Sequence, residues 1–169
     1  MPKHHDIQIV PYARDDIFDM VADIARYPEF LPWCAGLRVK RKLKVKGNQV
    51  LYADMLVAYQ MFRDQFSSRV TLDPDKGWIK VEYLDGPFEY LTNEWRFDSQ
   101  PDGQTQVTFN IDFEFTRAIY RQAIAPVFGK AVLRMMEAFG RRARDVCTPL
   151  PGMDHPALPS DGQELDQTL

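Results

Sequence analysis

Histidine and cysteine, which carry much enzyme chemistry, are few in this chain of 169 residues, and they are poorly spaced for it. His4, His5 and His155 lie near the two ends of the sequence, which argues against a nucleophile–histidine–acid triad in the middle. Cys34 and Cys147 are far apart and fit neither a zinc-binding spacing nor a disulfide framework. The sequence contains no glycine-rich phosphate-binding motif. We therefore expect a protein that is not an enzyme, that holds no metal or cofactor, and whose thiols are reduced in the cytoplasm.

Three polar side chains, Asp64, Ser68 and Asn93, fall in phase with the apolar faces of predicted strands. A buried polar group needs a hydrogen-bond partner, or its burial costs roughly a few kcal/mol. These side chains are therefore candidates for orienting the polar head of a ligand, or they reach backbone groups or the sheet edge. A weaker alternative is a cyclase or hydrolase, for which Asp64 is the one obvious titratable candidate.

Positive charge is concentrated in two stretches, although the formal net charge of the chain is −3. Residues 35–53 contain six Lys or Arg and no acid, and residues 117–144 contain seven Lys or Arg and one Glu. Such stretches favour docking on an anionic surface, either a phospholipid leaflet or ribosomal RNA, or they form solvated faces without a partner. We expect no DNA partner. The candidate contact residues are Lys40, Lys42, Lys44, Lys130 and Arg134.

The elements that must position these side chains follow from hydrophobic periodicity. The order is one strand, two short helices, six strands and a long amphipathic C-terminal helix. Residues 105–115 illustrate the strand pattern, because apolar side chains alternate with polar ones throughout. All connections between consecutive strands are short, which predicts an antiparallel meander with one face covered by the final helix. We therefore predict an α+β fold in which a curved antiparallel sheet of about seven strands wraps around that helix.

Two further boundaries are predicted by proline. Pro126 lies inside the C-terminal helical pattern, so a kink or break is expected near Ala125. Residues 148–169 contain four prolines and almost no large apolar side chains, so a single domain of residues 1–147 is expected to precede a disordered tail. The sequence has no apolar run of roughly 18 residues and no signal peptide pattern, which favours a cytoplasmic protein.

The predicted strands and final helix offer more inward apolar side chains than one helix stripe fills. They form either a solid core or an apolar cavity that holds a ligand. The candidate lining residues are Tyr27, Phe30, Trp33, Met55, Val57, Phe66, Val81, Leu91, Trp95, Phe113, Phe128, Ala131 and Met135.

Several runs resemble the coenzyme Q-binding protein family of START-like, helix-grip, polyketide cyclase-like domains. These are "VADIARYPEFLPWC" (residues 21–34), "DGPF" (85–88) with "EWRF" behind it, and "FNIDFEF" (109–115). The resemblance covers residues 4–147. Bacterial members of the family are also described as ribosome-association toxins.

The resemblance implies a helix-grip fold, a hydrophobic tunnel, and non-enzymatic binding of ubiquinone or a related polyprenyl or acyl lipid in support of respiration. It also implies that the segment after the first helix borders the tunnel mouth, with Tyr27, Phe30, Leu31 and Trp33 lining the entrance or entering a membrane. The other interpretation of that segment is a packed corner. We expect peripheral docking at the inner face of the inner membrane. The alternative is an inhibitor of ribosomal subunit association.

Overall fold

The computed structural model describes residues 2–157, and within them the elements follow the predicted order. They are β1 (Lys3–Val10), α1 (Arg14–Ala22), a 3-10 helix (Ile24–Glu29), β2 (Cys34–Val45), β3 (Asn48–Tyr59), β4 (Phe62–Asp73), β5 (Trp78–Asp85), β6 (Phe88–Ser99), β7 (Thr105–Phe115), α2 (Ala118–Ile124) and α3 (Phe128–Val146).

The strands form one antiparallel sheet in the order β1-β7-β6-β5-β4-β3-β2. Strands β2 to β7 are a meander, and β1 returns to pair with β7, so that Lys3 lies opposite Asp112. Two-residue turns join β2 to β3, β3 to β4 and β5 to β6, whereas four residues separate β4 from β5 and five separate β6 from β7. In the β2–β3 turn, Lys46 and Gly47 have φ values of 52° and 85°, the positive pair that suits the twist of a tight hairpin. The predicted α+β class and the curved antiparallel sheet are confirmed.

The long helix α3 covers the concave face of the sheet, as its apolar stripe predicts. Its buried side chains, which face the sheet, are Val132, Ala138, Phe139 and Ala143. The ring of Phe139 meets that of Trp95 on β6 edge to face, with ring centroids 5.0 Å apart. This contact fixes the helix over the middle of the sheet.

The break that Pro126 predicts is present. α2 ends at Ile124 and α3 begins at Phe128. Proline has no N–H to donate, and its ring collides with the preceding helical turn, so one continuous helix is costly here. The break leaves α2 as a short separate helix with no buried side chain.

The basic residues Lys40, Lys42 and Lys44 of β2 do not all lie on one face of the strand. A one-residue irregularity in the middle of β2 reverses which face its side chains occupy. Lys40 lies on the outer face, where its Nζ is 3.2 Å from the Asp54 carboxylate. Lys42 is paired with Leu51, a residue of the core under α3, so Lys42 lies on the face of the sheet that α3 covers. Lys44, two residues further along β2, lies on the same face.

The structure differs from the expected domain boundary after residue 147. Residues 148–157, here called the C-terminal segment, contact the body of the domain. The Leu150 amide donates to the Pro11 carbonyl at 2.9 Å, and the Thr148 amide donates to the Asp16 carboxylate at 2.9 Å. The remaining part of the predicted tail, residues 158–169, lies outside the described residues. Low apolar content therefore did not prevent ordering, because backbone groups supply the contacts.

Both cysteines are buried, and burial suppresses their ionisation. It raises the pKa of the Cys34 thiol to about 11 and, with a contribution from the nearby Asp16 carboxylate, raises the pKa of the Cys147 thiol to about 12. An unfolded thiol has a pKa of about 8.5. Above that pH the unfolded chain ionises while the folded protein stays protonated, so stability present below about pH 8.5 is lost as the pH rises toward the folded values.

We expect the free energy of unfolding in urea to fall between pH 8 and pH 11 for this reason. A Cys34→Ala/Cys147→Ala variant should show a shallower decline over the same interval, because it lacks both titrating groups. Equal declines in the two proteins would contradict the prediction.

Candidate ligand-binding cavity

An apolar cavity of about 230 Å³ lies between α3 and the concave face of the sheet. Its walls come from the 3-10 helix, from strands β2 to β7 and from both C-terminal helices. The lining residues include no Asp, Glu, His, Lys or Arg. Cavities lined in this way exclude water and accept apolar ligands.

The structure brings together nearly all of the lining residues that were predicted from the sequence. Those found in the cavity wall are Tyr27, Trp33, Met55, Val57, Phe66, Val81, Leu91, Trp95, Phe113, Phe128, Ala131 and Met135. The wall also contains residues that were not among the predicted lining residues, although Leu31 among them was expected at the tunnel mouth. These are Ile24, Leu31, Cys34, Leu37, Ala53, Tyr59, Phe62, Val70, Ile79, Phe88, Phe109, Ile111, Phe115, Ile124, Val132 and Phe139. Strict alternation along β3, β4, β5 and β7 was a sufficient signal for most of the strand residues among them.

Phe30 was expected to line the cavity, but it lies outside the cavity wall. Its ring packs edge to face on Tyr27 and Phe139, with centroid distances of 5.7 Å and 5.3 Å. The guanidinium group of Arg142 lies 5.3 Å from the centroid of the same ring. Phe30 therefore anchors the 3-10 helix to α3 from the outside.

Ser68 and Asn93 line the cavity, whereas Asp64 does not. Asn93 uses one amide N–H to donate to the Asn110 carbonyl at 2.9 Å. Ser68 is 5% exposed. Asp64 is half-buried outside the wall, and its carboxylate accepts a 2.8 Å hydrogen bond from the Gln65 amide. A carboxylate facing the apolar space would lack such a partner, which explains its position outside the wall.

The two ends of the cavity differ in how they are closed. At one end the wall consists of buried aromatic side chains in contact: Tyr27 with Phe139 at 5.4 Å, and Trp95 with Phe109 at 4.7 Å between centroids. At the other end Phe62 and Phe115 are buried, but several wall residues are half-buried. The half-buried ones are Trp33, Val57, Tyr59, Phe88, Ile124 and Phe128. We therefore place the mouth at this second end, between the β3–β4 turn, the start of β6 and the α2–α3 break.

The proline-rich segment after α1 contributes residues to both ends of the cavity. Tyr27 and Leu31 are buried and close the inner end, so they do not border the mouth as expected. Trp33 is half-buried and meets Tyr59 at the end of β3, with centroids 5.6 Å apart. Prolines in this segment prevent a long helix and let its two parts serve different ends of the cavity.

The candidate surface cations are scattered over the domain. Lys40 is paired on the outer face, Lys42 and Lys44 follow it along the edge strand β2, and Lys130 and Arg134 lie on α3. Within residues 2–157, no group of three or more His, Cys, Asp or Glu side chains is arranged to hold a metal ion. None of the helices in the same range has the length and apolar content to cross a membrane.

The chain is similar to known proteins of one family. Residues 10–140 match the model of a family described as polyketide cyclase/dehydrase and lipid transport. The chain is 34% identical to the ribosome association toxin RatA of Rickettsia prowazekii over 142 residues, covering 82% of this chain and 94% of that protein. It is 29% identical to the mitochondrial coenzyme Q-binding protein COQ10 of Drosophila melanogaster over 160 residues, covering 91% of this chain and 63% of that protein.

Solved structures agree with these matches. An 18 kDa protein from Caulobacter crescentus superposes with a TM-score of 0.72 at 32% identity, covering 86% of this chain and 97% of that one. The Zhui aromatase/cyclase from a Streptomyces species superposes with a TM-score of 0.69 at 20% identity, covering 86% of this chain and 95% of that one. The second match shows a shared fold alone. The resemblance to a START-like, polyketide cyclase-like family is confirmed.

Proposed function

The chain belongs to the polyketide cyclase/dehydrase and lipid transport family, and on that premise we propose that it binds ubiquinone or a related polyprenyl or acyl lipid. The observation that carries the proposal is the cavity, whose wall is apolar and contains no charged side chain. The name of the Drosophila relative, a coenzyme Q-binding protein, supports the same ligand class. The proposed setting is the inner face of the inner membrane, in support of quinone-dependent respiration.

Binding rather than catalysis is the proposed activity. General acid–base chemistry needs a titratable group within hydrogen-bond reach of the reacting atoms. The wall offers no carboxylate or imidazole, and Asp64 lies outside it. Burial raises the pKa of the Cys34 thiol and that of the Tyr27 hydroxyl, so both wall groups stay protonated near neutral pH. The proposed role of the cavity is therefore to hold a ligand without changing it.

Extraction of the purified protein with organic solvent, followed by mass spectrometry, tests the proposal. A quinone or another lipid at close to one molecule per chain is the expected result. Titration of the emptied protein with a short-chain ubiquinone should then quench the fluorescence of Trp95, which lines the cavity. A protein that yields no lipid and does not respond to quinone would contradict the proposal.

The polar residues of the cavity wall allow a prediction about the head group of the ligand. A quinone carbonyl accepts hydrogen bonds, and Ser68 and the second N–H of Asn93 are donors. Because a hydrogen bond contributes about 1 kcal/mol, we expect Ser68→Ala to weaken quinone binding roughly five- to tenfold in the same titration. Ser67→Ala is the matched control, since Ser67 faces the other side of β4 and donates to Asp54. Equal effects of the two substitutions would exclude Ser68 as a head-group contact.

A second candidate function is association with a ribosomal subunit. One observation favours it beyond the name of the rickettsial relative. On the outer face, Tyr52 of β3 lies in register between Arg41 of β2 and Arg69 of β4, with Arg38 nearby. Tyr52 is half-buried, and guanidinium groups beside an aromatic ring are typical of RNA-binding surfaces. Co-sedimentation with isolated ribosomal subunits, lost on Arg41→Glu but not on Ser68→Ala, is the result expected of this function.

A further inference from the structure

The surface beside the cavity mouth combines exposed apolar side chains with positive charge. Met61, at the tip of the β3–β4 turn, is 97% exposed, and Ile119 on α2 is 63% exposed. The two side chains belong to neighbouring elements, because Phe62 and Tyr120, the residues next to them, are in ring contact at 4.8 Å.

Charge on the side of the mouth formed by α2 and the start of α3 is positive. Residues 116–136 carry Arg117, Arg121, Lys130 and Arg134 and no acid. The guanidinium group of Arg117 lies 5.4 Å from the centroid of the Tyr120 ring, and Arg121 lies 3.8 Å from Glu114 on β7.

The helix α2 is held lightly to the domain. None of its side chains is buried. Its aromatic attachment is Tyr120, which contacts Phe62 and Phe115, and Ile124 reaches the cavity wall. A helix of seven residues has little stability of its own, so its position depends on these few contacts with the domain.

We propose that Met61, Ile119, Arg117 and Lys130, here called the docking face, bind the surface of an anionic phospholipid bilayer and apply the cavity mouth to it. Apolar side chains enter the interface between headgroups and chains, while nearby cations attract anionic headgroups. Because the docking face lies next to the cavity mouth, a lipid can pass between the bilayer and the cavity without crossing water. This inference rests on the proposed lipid-binding function.

Flotation with vesicles tests the docking face. Wild-type protein should bind vesicles of phosphatidylcholine and phosphatidylglycerol at 3:1 at least tenfold better than pure phosphatidylcholine vesicles, and binding should fall as salt is raised. Met61→Glu/Ile119→Glu should reduce binding to the anionic vesicles at least tenfold. Its melting temperature should not change, because both side chains are exposed.

A second pair of variants separates the docking face from general surface charge. Arg117→Glu/Lys130→Glu should reduce vesicle binding at least tenfold, whereas Lys42→Glu/Lys44→Glu, the same charge change on β2, should leave it within twofold of wild type. Equal losses in the two variants, or no loss on Met61→Glu/Ile119→Glu, would overturn the inference. So would binding of ribosomal subunits, but not vesicles, that depends on these same four residues.

Titration with a short-chain ubiquinone in the absence of vesicles distinguishes this inference from the proposed function. The docking-face variants should bind the soluble quinone as wild type does. Wild-type protein that binds vesicles through the docking face but binds no quinone would overturn the proposed function alone. Normal quinone binding with vesicle binding that ignores the docking face would overturn the docking inference alone.

Discussion

Replacing Ala131 with phenylalanine is expected to abolish lipid binding while leaving the melting temperature within a few degrees of wild type. Ala131 is a half-buried residue of α3 in the cavity wall. A phenyl ring at this position has about 230 Å³ of empty space in front of it, so it occupies ligand volume instead of displacing packed atoms. Quinone titration and a thermal melt measure the two effects on the same sample.

The matched control is Ala138→Phe, two helical turns further along α3. Ala138 is 5% exposed and belongs to the buried core, but it does not line the cavity. The same ring in close-packed surroundings should cost about 1–3 kcal/mol, or about 2–4 °C for each kcal/mol in a domain of this size. If Ala131→Phe destabilised the protein as much as Ala138→Phe does, the cavity would be a core that cannot accept a ligand.

Truncation after Cys147 is expected to lower the free energy of unfolding by about 2–4 kcal/mol. Several hydrogen bonds, each contributing about 1 kcal/mol, disappear with the C-terminal segment. These include the Leu150 amide to the Pro11 carbonyl and the Tyr12 hydroxyl to His155, each 2.9 Å long. Tyr12, which is 1% exposed, would also lose its cover. Urea denaturation measures the change.

A chain that ends at residue 157 is the control for this truncation. It retains every contact described for the C-terminal segment, so its unfolding free energy should match that of the full chain. If both truncations behaved like the full chain, residues 148–157 would not contribute to stability.

Local patterns predicted the features that depend on local physics. Alternation fixed which side of β7 faces the helix, because a strand places successive side chains on opposite faces. Pro126 fixed the helix break, since its effect acts within one turn. Most of the cavity wall follows from these two rules together with the need of α3 to cover the sheet.

The features that the sequence did not predict depend on contacts between distant residues or on a change in which side chains of a strand face the core. The contact between Leu150 and Pro11 links the two ends of the domain, and composition carries no trace of it. The irregularity in β2 reverses the face on which Lys42 and Lys44 lie, so counting every second residue fails beyond it. Tyr27 lies in a 3-10 helix and Phe30 directly follows it, and such a short run of turns has no lasting period to show which residue faces inward.

The size of the cavity bears on how far a long-tailed ligand can travel. A space of about 230 Å³ is smaller than the roughly 300–1,000 Å³ of sites that enclose drug-sized ligands. A polyprenyl tail would therefore extend through the mouth, and each methylene left in water would forgo about 0.8 kcal/mol of transfer free energy. Affinity measured in water should stop rising after the first few isoprene units. The protein would then act as a stationary clamp on one end of the molecule, with the rest of the chain dissolved in the leaflet, and not as a carrier through the aqueous phase.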